Sequence, residues 1–299
     1  MIRRLLPVAL SLLLAGGVHA QDASSVPPPR DVAYAPGTIR LEVDATNLNQ
    51  RIFKVRQTIP VQAGALTLLY PAWVPGGHSP RNSIDKIAGL VFKAGDRKLV
   101  WKRDPLNVYA FHLDVPQGVS QITAEFDFLT ATGSGQGRVV MTPRMLNLQF
   151  LSTVLYPAGH YAGRIMFDPR VTYPSGWTAF TALHEQGRSG DTVDYEDVPL
   201  DILVDSPVYA GRHAKNIDLT PAGSKVPVRL GVVADAPKFL DAKPAQVAIH
   251  KAMVAQALKL FGAQHYDHYQ FLFSLSGQMG GNGLEHQRSS ENGVGTDYF

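Results

Sequence analysis

The sequence predicts a mainly β protein, an antiparallel β-sandwich followed by a shorter mixed α/β region. Three observations carry that expectation. Apolar and polar residues alternate with period two in stretch after stretch up to about residue 210, and turn clusters such as "PGG", "TGSGQG" and "PSG" separate these stretches. Near residue 241 the period changes, and a long alanine- and leucine-rich run begins.

The first twenty residues read as an export signal. Arg3 and Arg4 form its positive start, Leu5 to Ala15 its apolar core, and Val18-His19-Ala20 a small-x-small cleavage site. The apolar run is too short to span a bilayer, and no later stretch reaches the ~20 apolar residues a membrane helix needs. The expected protein is therefore exported, periplasmic or secreted, without a membrane anchor. Residues 21–37 include "SSVPPPRDVAYAPG", rich in proline and serine with little to bury, and read as a disordered leader.

Residues 38–209 carry the strands of the sandwich. In "SQITAEFDFL", Ile122, Ala124, Phe126 and Phe128 share one face, while Gln121, Thr123, Glu125 and Asp127 share the other. The rhythm recurs in Tyr109, Phe111, Leu113 and Val115, and in Phe53, Val55, Ile59 and Val61. Residues 210–299 form the second region. There "DAKPAQVAIHKAMVAQALKLFG" has Asp241 and Pro244 at its start and Gly262 just past its end, which are helix start and stop signals. Apolar residues occur nearly all round this helix, so it is expected to be mostly buried. "YQFLFSLS" then reads as a buried strand leading into "GGNGLEHQRS".

Composition narrows the function. The formal net charge of +3 falls to +1 once the two signal arginines are removed, which gives no electrostatic case for nucleic acid. With no cysteine, disulfides, thiolate metal sites and lipid attachment through a signal cysteine are all excluded. The glycines from Gly133 to Gly137 read as a hairpin loop, because "VVMTPRM" after them does not open the helix that a phosphate-cradling loop requires. "HEQGR" at His184 starts like a zinc-protease motif but has Arg188 where the second histidine belongs. His265 and His268 are three apart, a metal-compatible spacing that lacks a third ligand.

"GGNGLEH" is more specific. A strand ending in glycines admits a second backbone, and an exposed edge there can pair with an extended peptide. Glu285 would then stand where the free amine of that peptide arrives.

Four segments in order, "YPAWVPGGHSP" (70–80), "LVDSPV" (203–208), "FGAQHYDHYQFL" (261–272) and "GGNGLEHQRS" (280–289), resemble the glycyl aminopeptidase family of zinc metallopeptidases, thermolysin-like enzymes related to aminopeptidase N. The resemblance implies that the first two segments belong to an N-terminal β domain and the last two to the opening of a thermolysin-like catalytic domain. The Gly-Gly-x-Glu-His strand of that family is similar to the Gly-x-Met-Glu-Asn strand of aminopeptidase N, whose backbone pairs with substrate. On this resemblance Glu285 holds the α-ammonium group of a peptide, Gly281, Gly283 and Leu284 bind its backbone, and His286 neighbours the site. Asn282 departs from the pattern as an extra residue in the glycine run.

The family's HExxH helix, which holds zinc and activates water, has no counterpart in the sequence. No catalytic residue, bound zinc or peptide hydrolysis is therefore expected of these 299 residues. Two readings follow: an incomplete copy of an exported zinc aminopeptidase with glycyl or alanyl preference, or a non-catalytic exported protein that binds peptides through the same edge strand. A plain structural sandwich would leave the Glu-His strand to chance.

Overall fold

The computed structural model describes residues 25–76, 79–279 and 281–299. The signal lies outside them, and no helix among the described residues is long and apolar enough to cross a membrane. The fold is mainly β. A nine-stranded sheet runs, in spatial order, through Glu185–Ser189, Thr192–Tyr195, Met166–Thr172, Ile39–Asn47, Ile52–Pro60, Gln121–Leu129, Ile87–Ala94 and Arg97–Leu99, with Val198–Pro199 paired off Met166–Thr172. Two four-stranded sheets complete the first region. The ladders of the large sheet are antiparallel except for one parallel pairing, Ile39–Asn47 with Met166–Thr172.

Alternation in sequence becomes alternation in burial. In Gln121–Leu129 the side chains of Ile122, Ala124, Phe126 and Phe128 enter a core shared with Phe53, Phe111 and Phe167. In the neighbouring strand Ile52–Pro60 a polar residue, Gln57, takes an inward position and is fully buried. Its amide donates to the Leu155 carbonyl at 2.9 Å and accepts from the Leu155 N–H at 2.7 Å, so neither end is left unpaired. The outer face of the same sheet is a lattice of ion pairs, including Arg56–Glu125 at 2.9 Å and Lys93–Glu125 at 2.6 Å. Such half-exposed pairs solvate the face and contribute little stability each.

Where a disordered leader is expected, residues 25–37 lie against the sandwich. Arg30 exchanges backbone hydrogen bonds with Gly159 and Tyr161, Tyr34 N–H donates to the Arg164 carbonyl, and Asp31 pairs with Arg164. A proline-rich segment cannot ladder with itself, but its remaining backbone groups can pair with a neighbour. The glycine loop also differs from expectation. It holds a 3-10 turn at Ser134–Gln136 and joins Gln121–Leu129 to Val140–Met141 of another sheet, so it is a crossing loop and not a hairpin.

The second region is a five-stranded sheet in the order Ala214–Asp218, Val228–Ala234, Tyr269–Leu275, Ser289–Val294, Asn282–Glu285. Tyr269–Leu275 is its centre, parallel to both neighbours and mostly buried, as its apolar-rich sequence implies. The helix Pro244–Phe261 ends on Gly262 in the left-handed conformation, and the Gln246 side chain reaches back to accept the Lys243 N–H. Its burial corrects the sequence expectation. Only His250 and Val254 are buried, while Ile249, Met253, Leu260 and Phe261 are exposed, because among the described residues the helix packs on one side only.

The two regions meet through an apolar seam of Met145, Phe180 and Tyr209 against Val233, Leu272 and Met279. Gly231 is essential to it, since a Cβ at that position would lie 2.4 Å from Cγ of Phe180. Gly231→Val is expected to destabilise the protein by about 1–3 kcal/mol through overpacking. A lowered urea midpoint at unchanged slope would register it, and an unchanged midpoint would show that the seam yields.

Candidate functional site

The strand Asn282–Glu285 is the edge of its sheet. Among the described residues it pairs antiparallel with Ser289–Val294 on one side only. Gly283, Leu284 and Glu285 line a cleft of about 640 Å³ whose other wall belongs to the first region. That wall includes Gly76, Asn82, Arg81, Lys86, Arg138 and Gln149. Glu285 is exposed, forms no hydrogen bond or ion pair with a described residue, and is the one acidic side chain lining the cleft among the described residues. Gly281 lines an adjoining cleft of about 430 Å³ that shares Gly137 and Arg138 with the first.

Segments far apart in the chain converge here. Leu284 turns inward against Gly76 of "YPAWVPGGHSP", where φ is +69° and a Cβ would stand 2.4 Å from the Leu284 methyl group. That motif's Gly77 and His78 lie outside the described residues, as does Gly280 of the strand's own motif. Asp205 of "LVDSPV" accepts the Gln287 N–H at 2.7 Å and bonds His286 Nδ1 at 2.8 Å. From "FGAQHYDHYQFL", Tyr269 donates its hydroxyl to the Ser289 carbonyl at 2.9 Å.

His286 neighbours the strand from beneath. Its side chain is fully buried and both ring nitrogens are engaged, Nδ1 with Asp205 and Nε2 with Glu291 Oε2 at 3.1 Å. Glu291 is itself fully buried, and its Oε1 accepts from Asn147 at 2.8 Å and Gln149 at 2.7 Å. Arg138 stands 3.9 Å from the same carboxylate. Burial by itself would lower the pKa of His286, but hydrogen bonds and charge from Asp205 and Glu291 prevail and raise it above 6.5. Nothing in the sequence singled out Glu291, Asn147 or Gln149. The polarity of Asn147 and Glu291 at inward strand positions, and of Gln149 just past the strand Met145–Leu148, was the available signal.

A catalytic zinc does not fit these residues. His286 has no free ring nitrogen, and no described histidine lines the cleft. His265 and His268 are not brought together as a metal pair. His265 edges an apolar groove beside the helix, while His268 approaches His184 and Asp267 instead. Ser25, His112 and Asp104 also cluster, but the serine and the aspartate both meet Nε2 of the imidazole, with Thr67 on Nδ1. A nucleophile relay needs the acid on the opposite nitrogen, so this is a structural knot.

The family to which the sequence belongs makes this a peptidase-related protein. The Peptidase M61 N-terminal domain matches residues 40–212, and the chain belongs to that family. Among solved structures it is similar to an aminopeptidase N family protein from Idiomarina loihiensis, with 18% identity and a TM-score of 0.71 over 87% of this chain and 42% of that one. It is also similar to a single-residue variant of an M1 zinc metallopeptidase from Deinococcus radiodurans, with 13% identity and a TM-score of 0.50 over 88% of this chain and 60% of that one. At these identities the likeness is one of fold. The chain spans 42% and 60% of those two structures, and no curated protein matches it by sequence.

Proposed function

We propose that this chain is the N-terminal, substrate-anchoring portion of an exported zinc aminopeptidase of the glycyl aminopeptidase type. The edge strand takes the backbone of a peptide and Glu285 takes its free α-amine. The zinc and the water-activating base would come from outside these residues. The observation that carries this reading is an unpaired strand edge opening on a cleft with one unpartnered carboxylate at its end. Arg81, Lys86 and Arg138 across the cleft suit the carbonyls or terminal carboxylate of a short peptide. The solved Deinococcus radiodurans variant, one of the fold's relatives, is described with a Tyr-Ser-Ala substrate bound, which supports a peptide as the ligand class.

Gly283 supplies the test. Its φ is not positive, and a Cβ there would meet no described residue within 4 Å, so the described fold does not require glycine. A side chain would instead fill the space an incoming backbone needs. Gly283→Val is expected to leave the unfolding midpoint within about 0.5 kcal/mol of wild type while abolishing the calorimetric binding of tripeptides with free N-termini. Undiminished binding by the variant would place the ligand elsewhere.

A further inference from the structure

Away from the cleft, the loop before Glu185–Ser189 and the loop before Tyr269–Leu275 bring three ligand-type side chains together. One ligand atom each from His184, Asp267 and His268 lies within 4.8 Å of the others. The two imidazole rings are 4.4 Å apart, His268 Nδ1 is 2.9 Å from Asp267 Oδ1, and His184 Nε2 is 4.0 Å from Asp267 Oδ2.

The hydrogen-bond pattern around His268 reveals what the cluster lacks. Nε2 lies 2.8 Å from the Ala182 carbonyl, and because a carbonyl can only accept, Nε2 carries the hydrogen. In the neutral ring Nδ1 then presents a lone pair, and it faces a carboxylate oxygen that also has only lone pairs to offer. Two acceptors at 2.9 Å need a hydrogen or a cation that both can bind. Arg288 does not bridge the two, since its Nε reaches only the carboxylate, at 3.2 Å from Asp267 Oδ1.

We propose that His184, Asp267 and His268 bind a divalent transition metal of the zinc class and clip the two regions of the chain together. Two imidazoles and one carboxylate form a donor set suited to such ions, with positions left for water. Ligands about 2.1 Å from a shared ion stand about 3–3.5 Å apart, so closure requires a shift of about 1 Å in the exposed His184 ring. The surroundings resemble an outer shell already in place. The Ala182 carbonyl holds His268 in the ligating tautomer, and Arg288 orients the carboxylate. Because His184 belongs to the first region and the other two to the second, the ion would oppose their separation.

The test is titration of zinc chloride, and of cobalt chloride as an absorbing surrogate, into metal-stripped protein carrying no affinity tag. Expected are one ion per chain, cobalt d–d bands, and a thermal midpoint raised by zinc but not by magnesium. His184→Ala and Asp267→Asn alter exposed side chains, and each is expected to weaken zinc more than about tenfold and to remove the midpoint shift. The absence of zinc binding to the wild type would mean that a proton on His268 Nδ1 fills the gap, and would overturn the proposal. So would undiminished binding by both variants.

Discussion

Glu291→Ala is expected to destabilise the protein by about 3–5 kcal/mol, the cost of removing one member of a buried ionic cluster. The carboxylate is fully buried and joins His286 and Arg138 to the amides of Asn147 and Gln149. Truncation leaves the Asn147 amide donor and the His286 Nε2 nitrogen without that partner in a buried site, and reduces the Gln149 amide to its bond with Asn147 Oδ1. Since Asn147 and Gln149 belong to the first region and Glu291 and His286 to the second, the loss falls on the junction that shapes the cleft. Urea unfolding monitored by tryptophan fluorescence is the measurement, and a midpoint unchanged within error would show the cluster to be energetically idle. Glu291→Gln is the informative companion, because it keeps an oxygen for the two amides and removes the charge.

The same cluster sets a pH dependence. The pKa of His286 is raised above 6.5 in the folded protein. A raised pKa means that the folded state holds the proton more tightly, so the contribution is full below about pH 6.5 and is lost as pH rises through the folded value. Wild-type stability should decline over that window. In Glu291→Gln the decline should be shallower, and an equally steep decline would assign it to another group.

Glu285→Ala is expected to weaken peptides with free N-termini by roughly ten- to a hundredfold, which corresponds to about 1.5–3 kcal/mol for a charge-assisted hydrogen bond. N-acetylated peptides present no ammonium group and are expected to bind both forms alike. Glu285 is exposed at the end of its strand and bonds no described residue, so its loss should leave stability within about 0.5 kcal/mol of wild type. Calorimetric titration of matched free and acetylated tripeptides separates the outcomes. Equal weakening of both kinds would make Glu285 a general cleft residue and would remove the amine-anchor role.

Much of the fold is legible in local pattern, because a half-buried strand must alternate and a helix must start and stop. Ile122 to Phe128, the start at Pro244, the stop at Gly262 and the central strand Tyr269–Leu275 all follow from such rules. The edge position of the strand with Glu285 was legible as well, from the glycines within and just before it. The helix face was not. Its apolar residues announce that something can cover them, but only the packing decides how much is covered, and Ile249, Leu260 and Phe261 remain exposed. His286 reads in sequence as a neighbour of the ligand, whereas in space it faces the other way and binds Asp205 and Glu291. Glu291 itself looks like any polar residue near a turn. The bonds from His286 to Asp205 and from Asn147 to Glu291 join residues 81 and 144 positions apart, and chain-local pattern contains no record of which distant partner a polar side chain will meet. The alternation of neighbours is dictated along the chain, while the pairing of Gly76 with Leu284, of Asn147 with Glu291 and of His184 with His268 arises only when the two regions close on each other.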